Sequence, residues 1–252
     1  MEGSLSTKTV FSLCVFCVLV LATTVESFAQ QTKPWTEWNK KDAEKILSDS
    51  PWSQTQVETD TSEMFYSPTS DPRTSGGRTS TTGSRQAQGA TNQAVNVKYH
   101  IRFFSARPVR QALVRLIELN QKNTDQKITD RLHSFAEVQA TESVIVTVTY
   151  ESTDQRFQNK AMQAFNAAVT GVLKNNTYLE VKTGQRLFLE EYVAPGKDGF
   201  GARFIFLRQP EGKLFITPDS GEVRFYSEVA TDIKLNMRFH VSDMNYNGKI
   251  EY

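Results

Sequence analysis

The ten residues VNVKYHIRFF, residues 95–104, alternate strictly between apolar and polar side chains as far as Phe103. Apolar side chains at every second position are typical of a β-strand with one buried and one solvent-facing side. Arg107-Pro108 follows closely. Proline favours the first turn of an α-helix, where no backbone N–H is needed. The stretch therefore predicts a half-buried strand that leads directly into a helix.

Three amphipathic helices are predicted in this part of the chain, each with apolar residues at helical spacing. The second runs past Ile128 to Ala136, and the third begins near Thr153 or Asp154 and continues to Val172. Between them SVIVTVTYE alternates as a second strand. The inward positions of the first helix are Val109, Ala112, Leu113, Leu116 and Ile117.

From Thr177 onward the apolar repeat stays at two. Glycine, proline and aspartate punctuate the segments, so short turns should join neighbouring strands as antiparallel hairpins. Residues 95–252 are therefore predicted to form an α+β domain with a largely antiparallel sheet and three packed helices, and a separate N-terminal helix segment precedes it. The predicted strands are 177–182, 186–193, 201–208, 213–217, 222–229 and 233–243.

Residues 30–66 form a separate N-terminal segment of helix and strand character. KPWTEWNKKDAEKILSDSPW places apolar side chains on one helical face and lysines on the other, and Ser50-Pro51 ends the helix. The following QTQVETDTSEMFY alternates weakly and could be a strand. So short a helix is not stable alone, so we expect this segment to dock on the body.

Residues 67–94 contain no aromatic residue and no aliphatic residue larger than alanine. Such a stretch buries too little surface to offset the entropy of ordering it. We expect a disordered linker here.

The first 29 residues have the composition of a secretory signal peptide. Lys8 precedes the apolar run TVFSLCVFCVLVLA, and Ser27-Phe28-Ala29 provides small residues at a cleavage site. The run has 14 residues, whereas a membrane-spanning helix needs about 20. An uncleaved anchor is the alternative. We expect cleavage after Ala29, no membrane span in the mature chain, and a periplasmic or secreted bacterial protein.

The mature chain would contain no cysteine, because both cysteines lie within that apolar run. Thiol nucleophiles, disulfides and thiolate metal ligands are then excluded. Removing one lysine and two glutamates from 29 basic and 28 acidic residues leaves 28 against 26, a formal charge of +2. Nucleic-acid binding, which usually requires a strongly basic stripe, is not expected.

Three tryptophans, Trp35, Trp38 and Trp52, are concentrated near the N-terminal helix. They could form an aromatic platform that binds a sugar ring or a peptide. The alternative is that they anchor the helix to the body with large apolar side chains.

The stretch DMNYNGKIEY at residues 243–252 has the spacing of a calcium loop, with Asp243, Asn245 and Asn247 at its first, third and fifth positions. Two features oppose this. The preceding segment has strand periodicity where an entering helix is required, and the chain given stops before the twelfth position. Asn247-Gly248 is a strong hairpin signal, so a closing hairpin is the favoured prediction, and no cofactor is expected.

Recognisable catalytic patterns are lacking. GKDGFG at residues 196–201 has the glycines of a phosphate loop, but a strand follows where a helix N-terminus is needed. Glu190 and Glu191 are adjacent in a strand and point to opposite faces. A hydrolytic site would require that the fold bring together two or more of His100, Asp198, Glu191, Asp219, Asp243 and His240.

The motifs W-x-x-W, D-A-x-x-I-L and D-S-P-W in residues 35–52, IRFFSARPVRQAL at 101–113 and the terminal DMNYNGKIEY resemble those of a group of uncharacterised exported bacterial proteins. The resemblance covers most of the mature chain except residues 67–94, and it implies no activity. The sequence thus favours an exported, non-enzymatic protein that binds an envelope component or ligand through its sheet face or N-terminal helix. An envelope-polymer hydrolase with a carboxylate-based site is the alternative.

Overall fold

A computed structural model describes residues 33–60, 95–121, 125–140 and 142–252. The predicted signal peptide of residues 1–29 and the predicted linker of residues 67–94 lie outside the described residues. The predicted α+β class is confirmed, since α-helices and antiparallel sheets both make up the described fold.

Five α-helices occur in the described part of the chain. The three helices predicted in the body are present, but the third ends at Ala167, because Ala168 adopts an extended backbone, and a short helix follows. The helices are α1 (Lys40–Ser48), α2 (Arg107–Asn120), α3 (Gln126–Glu137), α4 (Gln155–Ala167) and α5 (Thr170–Leu173).

The strands form a five-stranded sheet in the order β1-β2-β3-β7-β6 and a four-stranded sheet in the order β5-β4-β8-β9. All pairings are antiparallel, and a small hairpin, β10-β11, follows β9. The strands are β1 (Ser53–Asp60), β2 (Val95–Phe103), β3 (Ser143–Ser152), β4 (Thr177–Val181), β5 (Arg186–Phe188), β6 (Glu191–Val193), β7 (Ala202–Leu207), β8 (Glu222–Ala230), β9 (Ile233–His240), β10 (Asn245–Tyr246) and β11 (Lys249–Ile250).

The predicted strands at 186–193 and 213–217 need correction. The first is two strands in different sheets: Leu189 N–H donates to Thr177 O at 3.0 Å, and Glu190 N–H donates to Ile205 O at 2.9 Å. The chain therefore crosses between the sheets at this point. The second is a loop in which Phe215 and Ile216 are buried consecutively, which is not the alternation of a strand.

The core lies between the two sheets, and its largest contacts are made by aromatic side chains. Phe103 of β2 meets Phe239 of β9 with ring centroids 4.9 Å apart, and Phe204 of β7 meets Phe225 of β8 at 5.2 Å. Further along the same side of the five-stranded sheet, Phe165 of α4 stacks on Tyr150 at 5.1 Å. Burial of such rings is the main driving force for this packing.

The N-terminal segment is part of the same fold. The predicted single helix is instead a 3-10 turn, Trp35–Glu37, followed by α1, because Asn39 caps α1 by accepting the Asp42 N–H at 2.9 Å. The strand suggested after Ser50-Pro51 is present as β1 and pairs with β2. The described residues from Lys33 onward form one compact unit.

The amide of Gln56 on β1 also joins the two sheets, at the edges opposite the crossing at residues 189–190. Its Nε2 donates to Lys234 O at 2.7 Å, and its Oε1 accepts the Asn236 N–H at 2.8 Å. The amide therefore pairs with the edge of β9 as a neighbouring strand would. One face of the four-stranded sheet packs against the core, while the opposite face carries mostly half-buried and exposed side chains.

Candidate functional site

The three tryptophans predicted as a possible platform are buried, with 8%, 2% and 4% of the surface of Trp35, Trp38 and Trp52 exposed. Each indole N–H also has an acceptor. Trp35 donates to Glu137 Oε1 at 2.8 Å, and Trp52 donates to the backbone oxygen of Glu251 at 2.9 Å. Rings in this position have no free face for a sugar, so the geometry favours the anchoring alternative.

The terminal stretch forms the hairpin favoured by its sequence. Asn245 pairs with Ile250, and the turn residues Asn247 and Gly248 have φ angles of 52° and 77°, as a two-residue hairpin turn of type I′ requires. Asn245 Oδ1 accepts the Gly248 N–H at 3.0 Å. Asp243 Oδ1 accepts the Ser242 hydroxyl at 3.0 Å.

The calcium alternative for Asp243, Asn245 and Asn247 lacks its expected context, because β9 and a 3-10 turn precede the loop where an EF-hand has a helix. Within the described ranges, no group of three or more His, Cys, Asp or Glu side chains is arranged to hold a metal ion.

The residues after the hairpin are bound into the body. Glu251 accepts from Arg107 Nη2 at 2.5 Å, and the backbone oxygen of Tyr252 accepts from Arg208 Nη1 at 2.7 Å. Tyr246 donates to Gln111 Oε1 at 2.7 Å. These contacts hold α2, Trp52 and the hairpin together, which indicates a structural role for DMNYNGKIEY.

Thr55, His100 and Glu151 lie together on the five-stranded sheet. They have the functional groups of a catalytic triad, but their hydrogen bonds do not run in the direction that a triad requires. Thr55 Oγ1 lies 2.9 Å from His100 Nδ1 and donates to Ser48 O at 3.1 Å. The hydroxyl therefore accepts from Nδ1–H and is not activated as a nucleophile. Burial, followed by the charge of Arg102, lowers the pKa of His100, and Glu151 lies 3.6 Å from its Nε2.

The six polar residues on which a hydrolytic site would depend do not form one cluster, although Asp219, His240 and Asp243 lie on neighbouring segments near the end of β9. His100 contacts Thr55 and Glu151, while Asp198 forms an ion pair with Arg203 at 3.0 Å. His240 is exposed at the end of β9. No hydrogen bond or ion pair within the described residues joins two of the six side chains.

The outer face of the four-stranded sheet is the strongest candidate site. We define the outer face as two rows of side chains that run across the strands. Tyr178 pairs with Phe188 and with Tyr226, and Glu180 pairs with Arg186 and with Arg224. On β9 the rows end at Asn236 and Arg238. The rows are Phe188, Tyr178, Tyr226 and Asn236, and Arg186, Glu180, Arg224 and Arg238.

The period of two in β4 and β8 builds these rows. Leu179 and Phe225 are fully buried against the core. Their neighbours Tyr178, Glu180, Arg224 and Tyr226 point the other way, since successive side chains in a strand alternate between faces. The antiparallel register then places aromatic beside aromatic and charge beside charge.

The aromatic row is a stack with an exposed end. The Tyr178 and Tyr226 rings lie 5.1 Å apart with planes inclined by 24°, and Phe188 packs edge-on against Tyr178 at 5.9 Å. Arg186 covers Tyr178, with its guanidinium carbon 4.4 Å from the ring centroid. Phe188 remains 46% exposed, which is unusual for a large apolar side chain in an ordered strand.

The charged row is organised around Glu180. Its carboxylate accepts from Arg186 Nε at 2.5 Å and lies 3.5 Å from Arg224 Nη1. The hydrogen bond from Arg186 lowers the pKa of Glu180, and the same bond raises the pKa of Arg186. Glu180 and Arg186 therefore both stay charged at neutral pH.

Arg224 and Arg238 lie directly opposite each other on β8 and β9. Like charges in this position destabilise a sheet. Each is partly compensated, since Arg224 donates to Asn236 Oδ1 at 2.7 Å and Arg238 to Glu222 Oε1 at 2.6 Å. The side chain of Arg238 is nevertheless 61% exposed, so a guanidinium is available to a ligand.

Sequence reasoning missed this face although the signal was present. TYLEV and VRFYSE both alternate between core residues and aromatic or charged residues. Their significance depends on the register between strands, which the sequence alone does not provide. The outer face offers aromatic surface and guanidinium groups, and this chemistry suits binding.

Comparison with known proteins finds no matching family model, no matching curated protein and no matching solved structure. None of the helices in the described ranges is long and apolar enough to cross a membrane.

Proposed function

We propose that the protein is an exported, non-enzymatic binding protein of the cell envelope or extracellular space that engages its partner through the outer face. The observation that carries the proposal is that one face of an antiparallel sheet presents exposed Phe188 on one edge strand and the exposed guanidinium of Arg238 on the other. A rigid sheet positions such groups precisely enough for recognition.

Export is the part of the proposal that rests on sequence. The apolar run after Lys8 and the small residues before Gln30 have the features of a cleaved signal. N-terminal sequencing of exported protein should find Gln30 first. A chain that begins at Met1 in the exported fraction would contradict cleavage after Ala29.

The binding surface is testable by site-specific photocrosslinking in the native cell. A photoreactive residue replaces Phe188 on the outer face or, as a control, Val172 of α5, which is 68% exposed. We expect one major adduct, identified by mass spectrometry, from position 188 and none of the same mass from position 172.

A second variant links that adduct to the charged row. Arg238→Glu reverses an exposed charge, so it should reduce the adduct at position 188 several-fold without altering the thermal unfolding midpoint. Equal adducts at positions 188 and 172, or an adduct insensitive to Arg238→Glu, would contradict the outer face as the binding surface.

A further inference from the structure

We infer that the ligand of the outer face is an anionic polysaccharide, a polymer of sugar rings that carry carboxylate or other acidic groups. This inference rests on the proposed function and identifies the chemical class that the same surface would recognise.

The first argument is charge complementarity. The charged row contains three arginines and one glutamate, an excess of +2. The neighbouring positions leave this excess unchanged: Glu222, which pairs with Arg238 at 2.6 Å, lies opposite Lys182 in the backbone ladder, and Glu228 pairs with Lys234. An arrangement with two arginines directly opposed gains stability when an anion lies between them, and guanidinium groups bind carboxylate and phosphate with two parallel hydrogen bonds.

The second argument is the aromatic row. The apolar face of a sugar ring, with its C–H bonds, packs against aromatic side chains. The half-exposed ring of Phe188 offers such a surface at one end of the stack, next to Tyr178. At the other end Asn236 provides an amide for sugar hydroxyl groups.

The third argument is the geometry of the two rows. Rows two residues apart on a strand are separated by about 7 Å, and four strands span about 14 Å. A polysaccharide that crosses the strands can therefore place a sugar ring on the exposed Phe188 at the end of the aromatic row and its acidic groups on the charged row. A few consecutive sugars would fit along this length.

The same charges argue against nucleic acid. A duplex carries one negative charge about every 1.7 Å, and Glu180 and Glu222 would lie directly beneath such a backbone. Widely spaced acidic groups on a polysaccharide avoid this repulsion, and both glutamates can accept hydrogen bonds from sugar hydroxyl groups.

The test is isothermal titration calorimetry of the mature protein with four polymers: polygalacturonate, neutral dextran, polyglutamate and single-stranded DNA. We expect polygalacturonate to bind at least about tenfold more tightly than dextran, since a charge-assisted hydrogen bond contributes about one order of magnitude in affinity. It should also bind more tightly than polyglutamate and single-stranded DNA, which offer no pyranose ring to Phe188. Arg238→Ala should weaken polygalacturonate binding about tenfold, and Phe188→Ala should also weaken it. Arg131→Ala, which removes an exposed arginine of α3 outside the outer face, is the matched control and should bind as the wild type does.

Each other outcome overturns a defined part. Equal binding of dextran overturns the role of anionic groups, and equal binding of polyglutamate or DNA overturns the role of the sugar. No binding of any polymer, with the adduct at position 188 intact in cells, overturns the ligand class and leaves the proposed function standing. Loss of both the binding and the adduct overturns both proposals.

Discussion

Gly201→Ala provides the sharpest test of why the loop before β7 is rich in glycine. Gly201 has a φ of 81°, and a Cβ there would lie 2.2 Å from Val148 O and 2.7 Å from Thr149 Cγ2. Carbon–oxygen contacts normally begin near 3.3 Å, so β7 would have to move by about 1 Å away from β3. Val148 pairs with Ala202 at this position, and the ladder would be disturbed where it begins.

The expected loss of stability follows from these contacts. A left-handed backbone costs an alanine roughly 1–2 kcal/mol, and overpacking with one weakened ladder bond adds roughly 2–3 kcal/mol. Gly199→Ala is the matched control, because Gly199 has a φ of 77° and nothing within 4 Å of the added Cβ. It should lose only the backbone term.

Urea unfolding of both variants, followed through the fluorescence of the buried tryptophans, measures the difference. The free energy of unfolding should fall by about 3–5 kcal/mol for Gly201→Ala and by about 1–2 kcal/mol for Gly199→Ala. If the two losses agree within about 1 kcal/mol, close approach to β3 is not the reason for glycine at position 201.

Three further predictions concern the hairpin, an anchor and a titrating group. Gly248→Val should lower the free energy of unfolding by roughly 1–3 kcal/mol because of the positive φ at this turn, whereas Asp243→Ala should be nearly neutral. A melting temperature that rises with millimolar calcium in the wild type but not in Asp243→Ala would contradict the assignment of this stretch as a hairpin without a calcium site. Trp52→Phe should cost about 1–3 kcal/mol in thermal unfolding, because it leaves the buried oxygen of Glu251 without its donor, and an unchanged midpoint would refute that role. Burial lowers the pKa of His100, so the unfolded chain binds the proton more readily and the free energy of unfolding should fall as the pH drops below about 6.5. The His100→Asn variant should show a shallower fall between pH 7 and pH 5. An identical pH profile would show that His100 is not responsible.

The strands and helices that sequence reasoning located well are those with strong periodic burial. β2 alternates without interruption, and the helix that starts at Arg107-Pro108 runs from Arg107 to Asn120. The turn at Asn247-Gly248 was equally clear, because few residues adopt its positive φ angles. Segments whose apolar residues are buried for other reasons were misleading, as the loop containing Phe215 and Ile216 shows.

The sequence by itself determined the α+β class, most helix and strand positions and the terminal hairpin, because these depend on local periodicity and on the φ preferences of a few residues. Only the tertiary structure decided that residues 186–193 pass between two sheets and that the tryptophans are buried. It alone also placed Arg224 opposite Arg238 and Tyr178 beside Tyr226. These features depend on register and on contacts between residues far apart in the chain, and a shift of one residue would turn every outer-face side chain into the core.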